Sequence, residues 1–218
     1  MSHAAPSAAQ PDRDCPLCPR LAAFRLTQRS LFPAWHNAPV ASFGGDDVRL
    51  LIVGLAPGLR GANRTGRPFT GDFAGVLLYA TLSKFGFARG EYGERRDDRL
   101  TLIDCRITNA VRCVPPENKP EPTEIAACNR FLVAEIKRLP HLKAVLALGA
   151  IAHQAVLTAC GERRSAFPFG HGAMHRLSGG LLLADSYHCS RYNTNTGKLT
   201  QAMFEAVFAE IRARLDAG

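Results

Sequence analysis

The segment Val48–Arg49–Leu50–Leu51–Ile52–Val53 is aliphatic almost throughout, and Gly54–Leu55–Ala56–Pro57–Gly58 stops it at once. Such a run reads as a strand buried on both faces, and a strand of that kind must lie in a sheet with a covering layer on either side. The rest of the pattern supplies those layers. Asp72 to Phe85 reads as a helix with Phe73, Val76, Leu77 and Ala80 on one face and Gly86 after it. Leu100 to Ala110 reads as a second strand, and Pro115, Pro116, Pro120 and Pro122 make the next stretch a rigid loop. A helix capped by Thr123 follows, with Ile125, Cys128, Leu132, Ile136 and Leu139 at helical spacing. Ala144 to Leu148 is a third strand, running into a helix from Ala150 to Ala159. Leu181 to Ser186 is a fourth, ending at Tyr187–His188, and a last helix from Leu199 to Leu215 aligns Met203, Val207 and Ile211. Strands that alternate with helices predict an α/β three-layer sandwich, its central four-stranded, mostly parallel sheet covered by helices on both faces.

Ligands of open parallel sheets bind beyond the carboxyl ends of the strands. Here those ends read Gly54 to Gly58, Asn109 to Cys113, and His188 to Asn193, so three polar segments are expected to converge on one edge. Gly54, Gly58 and Gly61 would let the backbone approach phosphates closely. The formal charge of +8, with a pI near 9.4, points to a polyanionic partner.

At 218 residues the chain is long enough for one sizeable core, and residues 13–218 are expected to form a single domain behind a disordered tail of residues 1–12. Hydrophobic residues make up 46% and charged residues 21%, which excludes wholesale disorder. The longest apolar runs, such as Ala144 to Ala152, fall short of the roughly 20 residues a membrane span needs, so no membrane partner is expected. The opening MSHAAPSAAQ lacks the basic start and apolar stretch of a signal peptide, and the expectation is a cytoplasmic protein with reduced thiols. Of the seven cysteines, Cys15 and Cys18 form a C-x₂-C knuckle in a polar terminal segment, while Cys113 and Cys128 form a second, wider pair. Two such pairs can complete four-thiolate ligation, and spacing alone leaves zinc or an iron–sulfur cluster open. Cys105 and Cys160 read as buried thiols.

Four segments, taken in order with these cysteines, resemble the uracil-DNA glycosylase superfamily, and within it family 5, the type-B iron–sulfur enzymes. They are Gly54 to Gly58, Arg64 to Asp72 (RTGRPFTGD), Thr108 to Cys113 (TNAVRC) and His188 to Gly197 (HCSRYNTNTG). The resemblance implies a [4Fe–4S] cluster on Cys15, Cys18, Cys113 and Cys128. It also implies a monofunctional DNA glycosylase that flips uracil, and other deaminated bases such as hypoxanthine, out of DNA and hydrolyses the N-glycosidic bond, the step that opens base excision repair. Double- and single-stranded DNA containing uracil would be the partner of a monomeric enzyme. The alternative is a non-catalytic iron–sulfur or zinc protein that binds nucleic acid.

The resemblance gives His188 the role of a donor to uracil O2, where negative charge builds as the base departs; otherwise it caps a strand end. Asn109 corresponds to the residue that lines the base pocket and takes part in catalysis, its amide offering a donor and an acceptor to the base edge; an isolated Asn would be a turn former. Phe69 either stacks beneath the flipped base or packs in the core. Asp72 is the carboxylate available to orient water or offset charge on the sugar, or else a helix N-cap, because Ala56 stands where other families carry an acid. Gly54 and Ala56 belong to the substrate-binding loop, and Ser190 resembles a phosphate-contacting serine. Arg64, Arg67, Arg112 and Lys198 are expected to form the phosphate-binding rim.

Overall fold

The computed structural model describes residues 10–217, so residues 1–9 of the expected tail lie outside the described residues. In chain order the elements are α1 (Pro19–Leu31), β1 (Leu50–Gly54), α2 (Ala62–Thr65), α3 (Phe73–Lys84), β2 (Ala88–Arg89), β3 (Thr101–Leu102), β4 (Cys105–Asn109), α4 (Pro122–Arg138), β5 (Ala144–Leu148), α5 (Ala150–Ala159), β6 (Met174–Arg176), β7 (Leu182–Ser186), α6 (Arg191–Asn195) and α7 (Gln201–Asp216). The central sheet runs β4-β1-β5-β7-β6. Its first four strands are parallel, as the alternating pattern predicts, and β6 adds a fifth, antiparallel strand at the edge beyond β7. That strand escapes a pattern search because it has three residues and only one of them, Met174, is apolar.

Every residue of β1 is buried, and alternation divides the strand between two cores. Leu50 and Ile52 pack with Leu78 and Leu82 of α3 and with Phe204, Phe208 and Ile211 of α7. Leu51 and Val53 pack on the other face with Leu132 of α4 and Ala152, Ala155 and Val156 of α5. The three layers follow from that division. A smaller cluster, Leu21 with Val111, Cys113, Cys128 and Phe131, joins α1 to the segment after β4 and to α4. The outer edge of β4 is covered by Phe43, which exchanges backbone hydrogen bonds of 2.9 and 2.8 Å with Ile107.

Three local expectations are corrected. The run from Leu100 to Ala110 is two strands, because Asp104 at φ +55° breaks it and holds Arg49 through the backbone N–H and Nε, both at 2.8 Å. Residues 101–102 pair instead with β2. The cap of α4 is Glu121, in a reciprocal capping box with Glu124 around Pro122 at the first turn, and not Thr123. In α3 the buried side carries Ala74, Gly75, Leu78, Tyr79, Thr81 and Leu82, whereas Phe73 and Val76 are exposed. With apolar residues on nearly every side of that helix, periodicity does not select the face. The helices α1 and α6 fall in segments too polar to announce a helix.

Candidate active site

Register places Gly54 opposite Asn109 and Leu148 opposite Ser186, so the carboxyl ends of the parallel strands are level. Beyond them opens a cleft of about 770 Å³, and Ala56, Phe69, Asp72, Asn109, His188 and Ser190 all line it. Gly54 lies underneath. A side chain there would collide with Asn109 Oδ1 and come within 2.6 Å of Phe69 Cζ, so the glycine makes room for those two groups. The expected close approach is thus to site side chains of the chain itself.

Asn109 ends β4 and is buried, and its Oδ1 has no hydrogen-bond partner. A buried acceptor left unpaired costs stability unless something else satisfies it, so the atom is poised for a donor that enters the cleft. Phe69 occupies φ +52°, uncommon for a residue with a side chain. It is held there by a 3.0 Å hydrogen bond from Tyr92 Oη to its carbonyl, and Gly75 allows that carbonyl to approach α3. Its ring stacks on His188, centroids 5.8 Å apart and planes 28° apart.

Asp72 is the N-cap of α3 and also borders the cleft. Oδ1 accepts from the Gly75 N–H at 3.2 Å. Oδ2 turns toward the glycine loop, where a Cβ on Gly58 would stand 3.3 Å away and one on Gly61 would clash with the carboxylate. Burial pushes the Asp72 pKa up, while hydrogen bonds from the Gly75 and Ala74 backbone pull it back. Burial also lowers His188, to about 4, so its imidazole is neutral at physiological pH. The Asn193 amide donates to the His188 carbonyl at 2.8 Å and fixes the loop that carries the ring. Ser190 caps α6, accepting from the Asn193 N–H at 3.4 Å.

Cys15, Cys18, Cys113 and Cys128 gather around a small cavity bordered by Pro11, Leu21, Arg25 and Phe131. All four are free thiols. Burial raises Cys18 to about 11 and Cys113 to about 12, and it raises Cys128 as well. The charge on neighbouring thiolates adds to the increase. Arg25 Nη1 donates to Cys113 Sγ and the Arg112 backbone N–H to Cys128 Sγ, each at 3.3 Å. Cationic and N–H groups of this kind favour thiolates.

The Uracil DNA glycosylase superfamily model matches residues 41–212, which include both the glycine loop and the His188 segment. The chain belongs to the uracil-DNA glycosylase superfamily. Similar proteins include a type-5 uracil-DNA glycosylase of Thermus thermophilus, 47% identical over 91% of this chain and 92% of its own length. Another, of Pyrobaculum aerophilum, is 38% identical over 94% of this chain and 90% of its own. A type-4 uracil-DNA glycosylase of Thermotoga maritima aligns over only 52% of this chain, at 40% identity.

Within this superfamily fold, two of the four cations expected at a phosphate rim are elsewhere. Arg67 is 4% exposed, paired through both Nη atoms with Asp98 at 2.6 Å and surrounded by the Phe43, Tyr79 and Tyr92 rings. Arg112 is buried on Glu135 and donates to Ser42 at 2.6 Å. Both guanidiniums are structural. Arg64 and Lys198 remain exposed. Conversely, Arg60, Phe73 and Asn118 line the cleft and were not anticipated. Asn118 sits at φ +58° in the Pro-rich loop, and an Asn among prolines was the available signal.

Proposed function

We propose that this protein hydrolyses the bond between uracil and deoxyribose in DNA, as a monofunctional uracil-DNA glycosylase, and leaves an abasic site. The observation that carries the reading is the unpaired Asn109 Oδ1, buried in the same cleft as Asp72 and a neutral His188. A flipped uracil lying on Phe69 presents N3–H to that oxygen, and cytosine, with a bare N3, does not. As C1′–N1 breaks, the bonding electrons pass to the base and charge grows on O2. His188, already neutral, donates there without first losing a proton. Asp72 offsets charge on the sugar and orients the water whose oxygen bonds to C1′ and whose proton neutralises the departing uracil anion. No lysine lines the cleft among the described residues, so water rather than an amine is the acceptor. Ala56 and Gly54 keep the floor low enough for the base, and Ser190, at the α6 cap, is placed for a phosphate.

The four cysteines fit a [4Fe–4S] cluster. Their donor set is all sulfur, and Arg25 offsets its charge. A single zinc would need its four sulfurs about 3.8 Å apart at bond lengths of about 2.3 Å. Among the described residues, the only set of three or more potential ligands lying within 4.8 Å of one another is His153, His175 and Asp185, so the cysteine sulfurs are more widely spread. The cluster would act as a cross-link between the segment before α1 and the segment after β4. The same reading extends to uracil in single-stranded as well as double-stranded DNA, to other deaminated bases such as hypoxanthine, to a monomer with the whole cleft on one chain, and to the cytoplasm.

Incubation of the purified protein with duplex DNA carrying one uracil tests the proposal. Free uracil and an alkali-labile strand are expected. Binding without base release would favour the non-catalytic alternative. Iron and acid-labile sulfide in equal amounts are expected in the same preparation, and zinc in place of iron would remove the cluster.

A further inference from the structure

Away from the cleft, on the face of β7 that packs against α5, three potential ligands converge. Asp185 is fully buried, and Leu183, two residues earlier on the same face, belongs to the α4–α5 core. His153 of α5 places Nδ1 2.7 Å from Asp185 Oδ1. His175 of β6 places Nε2 3.5 Å from Asp185 Oδ2. The donor atoms of all three lie within 4.8 Å of one another.

The surroundings are those of ligands held in orientation. His153 Nε2 is 2.9 Å from the Phe167 carbonyl, which can only accept, so that nitrogen carries the proton and Nδ1 is left to the carboxylate side. Metal-bound imidazoles are fixed in this way, by a backbone carbonyl on the far nitrogen. The Gly170 N–H donates to Asp185 Oδ2 at 3.4 Å. His175 Nε2 is buried with no hydrogen-bond partner. A structural carboxylate–imidazole pair needs only one histidine; the second, aimed at the same carboxylate and unpaired, is what such a pair leaves unexplained.

We infer that His153 Nδ1, His175 Nε2 and the Asp185 carboxylate form a binding site for one divalent first-row transition ion of the zinc class. Two imidazoles and one carboxylate suit zinc and its neighbours and do not suit magnesium or calcium, which take oxygen ligands. With bonds of about 2.0–2.1 Å, a tetrahedral ion sets its ligands about 3.3 Å apart. The separation of His175 Nε2 from Asp185 Oδ2 already fits, and His153 Nδ1, held to the other oxygen, Oδ1, moves out by about half an ångström as the ion replaces the hydrogen bond between them. Such an ion ties α5 and the short edge strand β6 to β7, three residues before His188. The site shares no residue with the cysteine cavity or the cleft.

Cobalt(II) and zinc(II) titrations of the full-length, chelator-treated protein test this, with iron measured alongside. The wild type is expected to bind one cobalt with a visible spectrum free of sulfur-to-metal charge transfer, and zinc is expected to displace it. At zinc about 100-fold above Kd, Tm should rise by about 5–10 °C. His175→Gln should lose the cobalt signal and the zinc-induced shift while its iron content stays the same. No cobalt uptake by the wild type, a thiolate charge-transfer band in place of the expected spectrum, or unchanged uptake in His175→Gln would overturn the site. If that variant does not fold, the wild-type spectrum and Tm shift still decide the question.

Discussion

Strand β4 and the residues just beyond it hold two kinds of buried polar group side by side. Arg106, Thr108 and Arg112 all converge on Glu135 of α4, where each charge and hydroxyl has a partner. Asn109 lies between them in sequence, is equally buried, and has an acceptor with none. The first set is what a folded chain does with charges it must bury. The second costs stability unless a donor entering the cleft pairs with it. Satisfied polar groups therefore mark the scaffold here, and the unsatisfied one marks the site.

Breaking the scaffold should have the largest effect. Glu135→Ala strands two buried guanidiniums and should lower the unfolding free energy by about 3–5 kcal/mol in urea melts. Activity would be lost only through the fold. Asp72→Asn keeps the cap of α3 and removes the charge, so the single-turnover rate should fall by about 10²-fold or more while stability hardly moves. A rate close to wild type would reduce Asp72 to a cap.

Those two positions also show what sequence could and could not convey. The alternation of strands and helices and the level strand ends follow from local pattern. Six of the residues that the motifs singled out, Ala56, Phe69, Asp72, Asn109, His188 and Ser190, line one cleft, whereas Arg60, Phe73 and Asn118 join it without such a signal. The fates of Arg67 and Arg112 do not follow from local pattern, because a charged side chain is placed by a partner distant in sequence. Asp98 is 31 residues from Arg67, and Glu135 is 23 from Arg112. Both therefore looked like surface cations. The short strand β6 and the buried face of α3 were likewise fixed by tertiary packing and carry no periodic signal of their own.

The pH dependence sharpens the contrast at His188. An unfolded histidine takes up a proton near 6.5, whereas the folded His188 does so only near 4. Between those values the unfolded state binds more protons, so stability should fall as pH drops from 6.5 toward 4. His188→Ala should flatten that slope in pH-dependent melts, and a slope unchanged by the substitution would mean that other groups set it. The same substitution should slow base release by about 10²–10³ at neutral pH. The smallest effect is expected at the rim. Arg64→Ala should leave stability within about 0.5 kcal/mol and make the slope of log K against log salt shallower by about 0.9. A slope identical to wild type would place Arg64 off the DNA.

Asn109→Ala bears on the contrast most directly, because it removes the unpaired buried acceptor that lines the cleft. Single-turnover release of uracil and the urea unfolding free energy should be measured on the same preparation. The expected result is a rate lower by about 10²–10³ with stability unchanged or slightly higher. A normal rate, or a rate loss matched by a loss of stability like that of Glu135→Ala, would contradict the account.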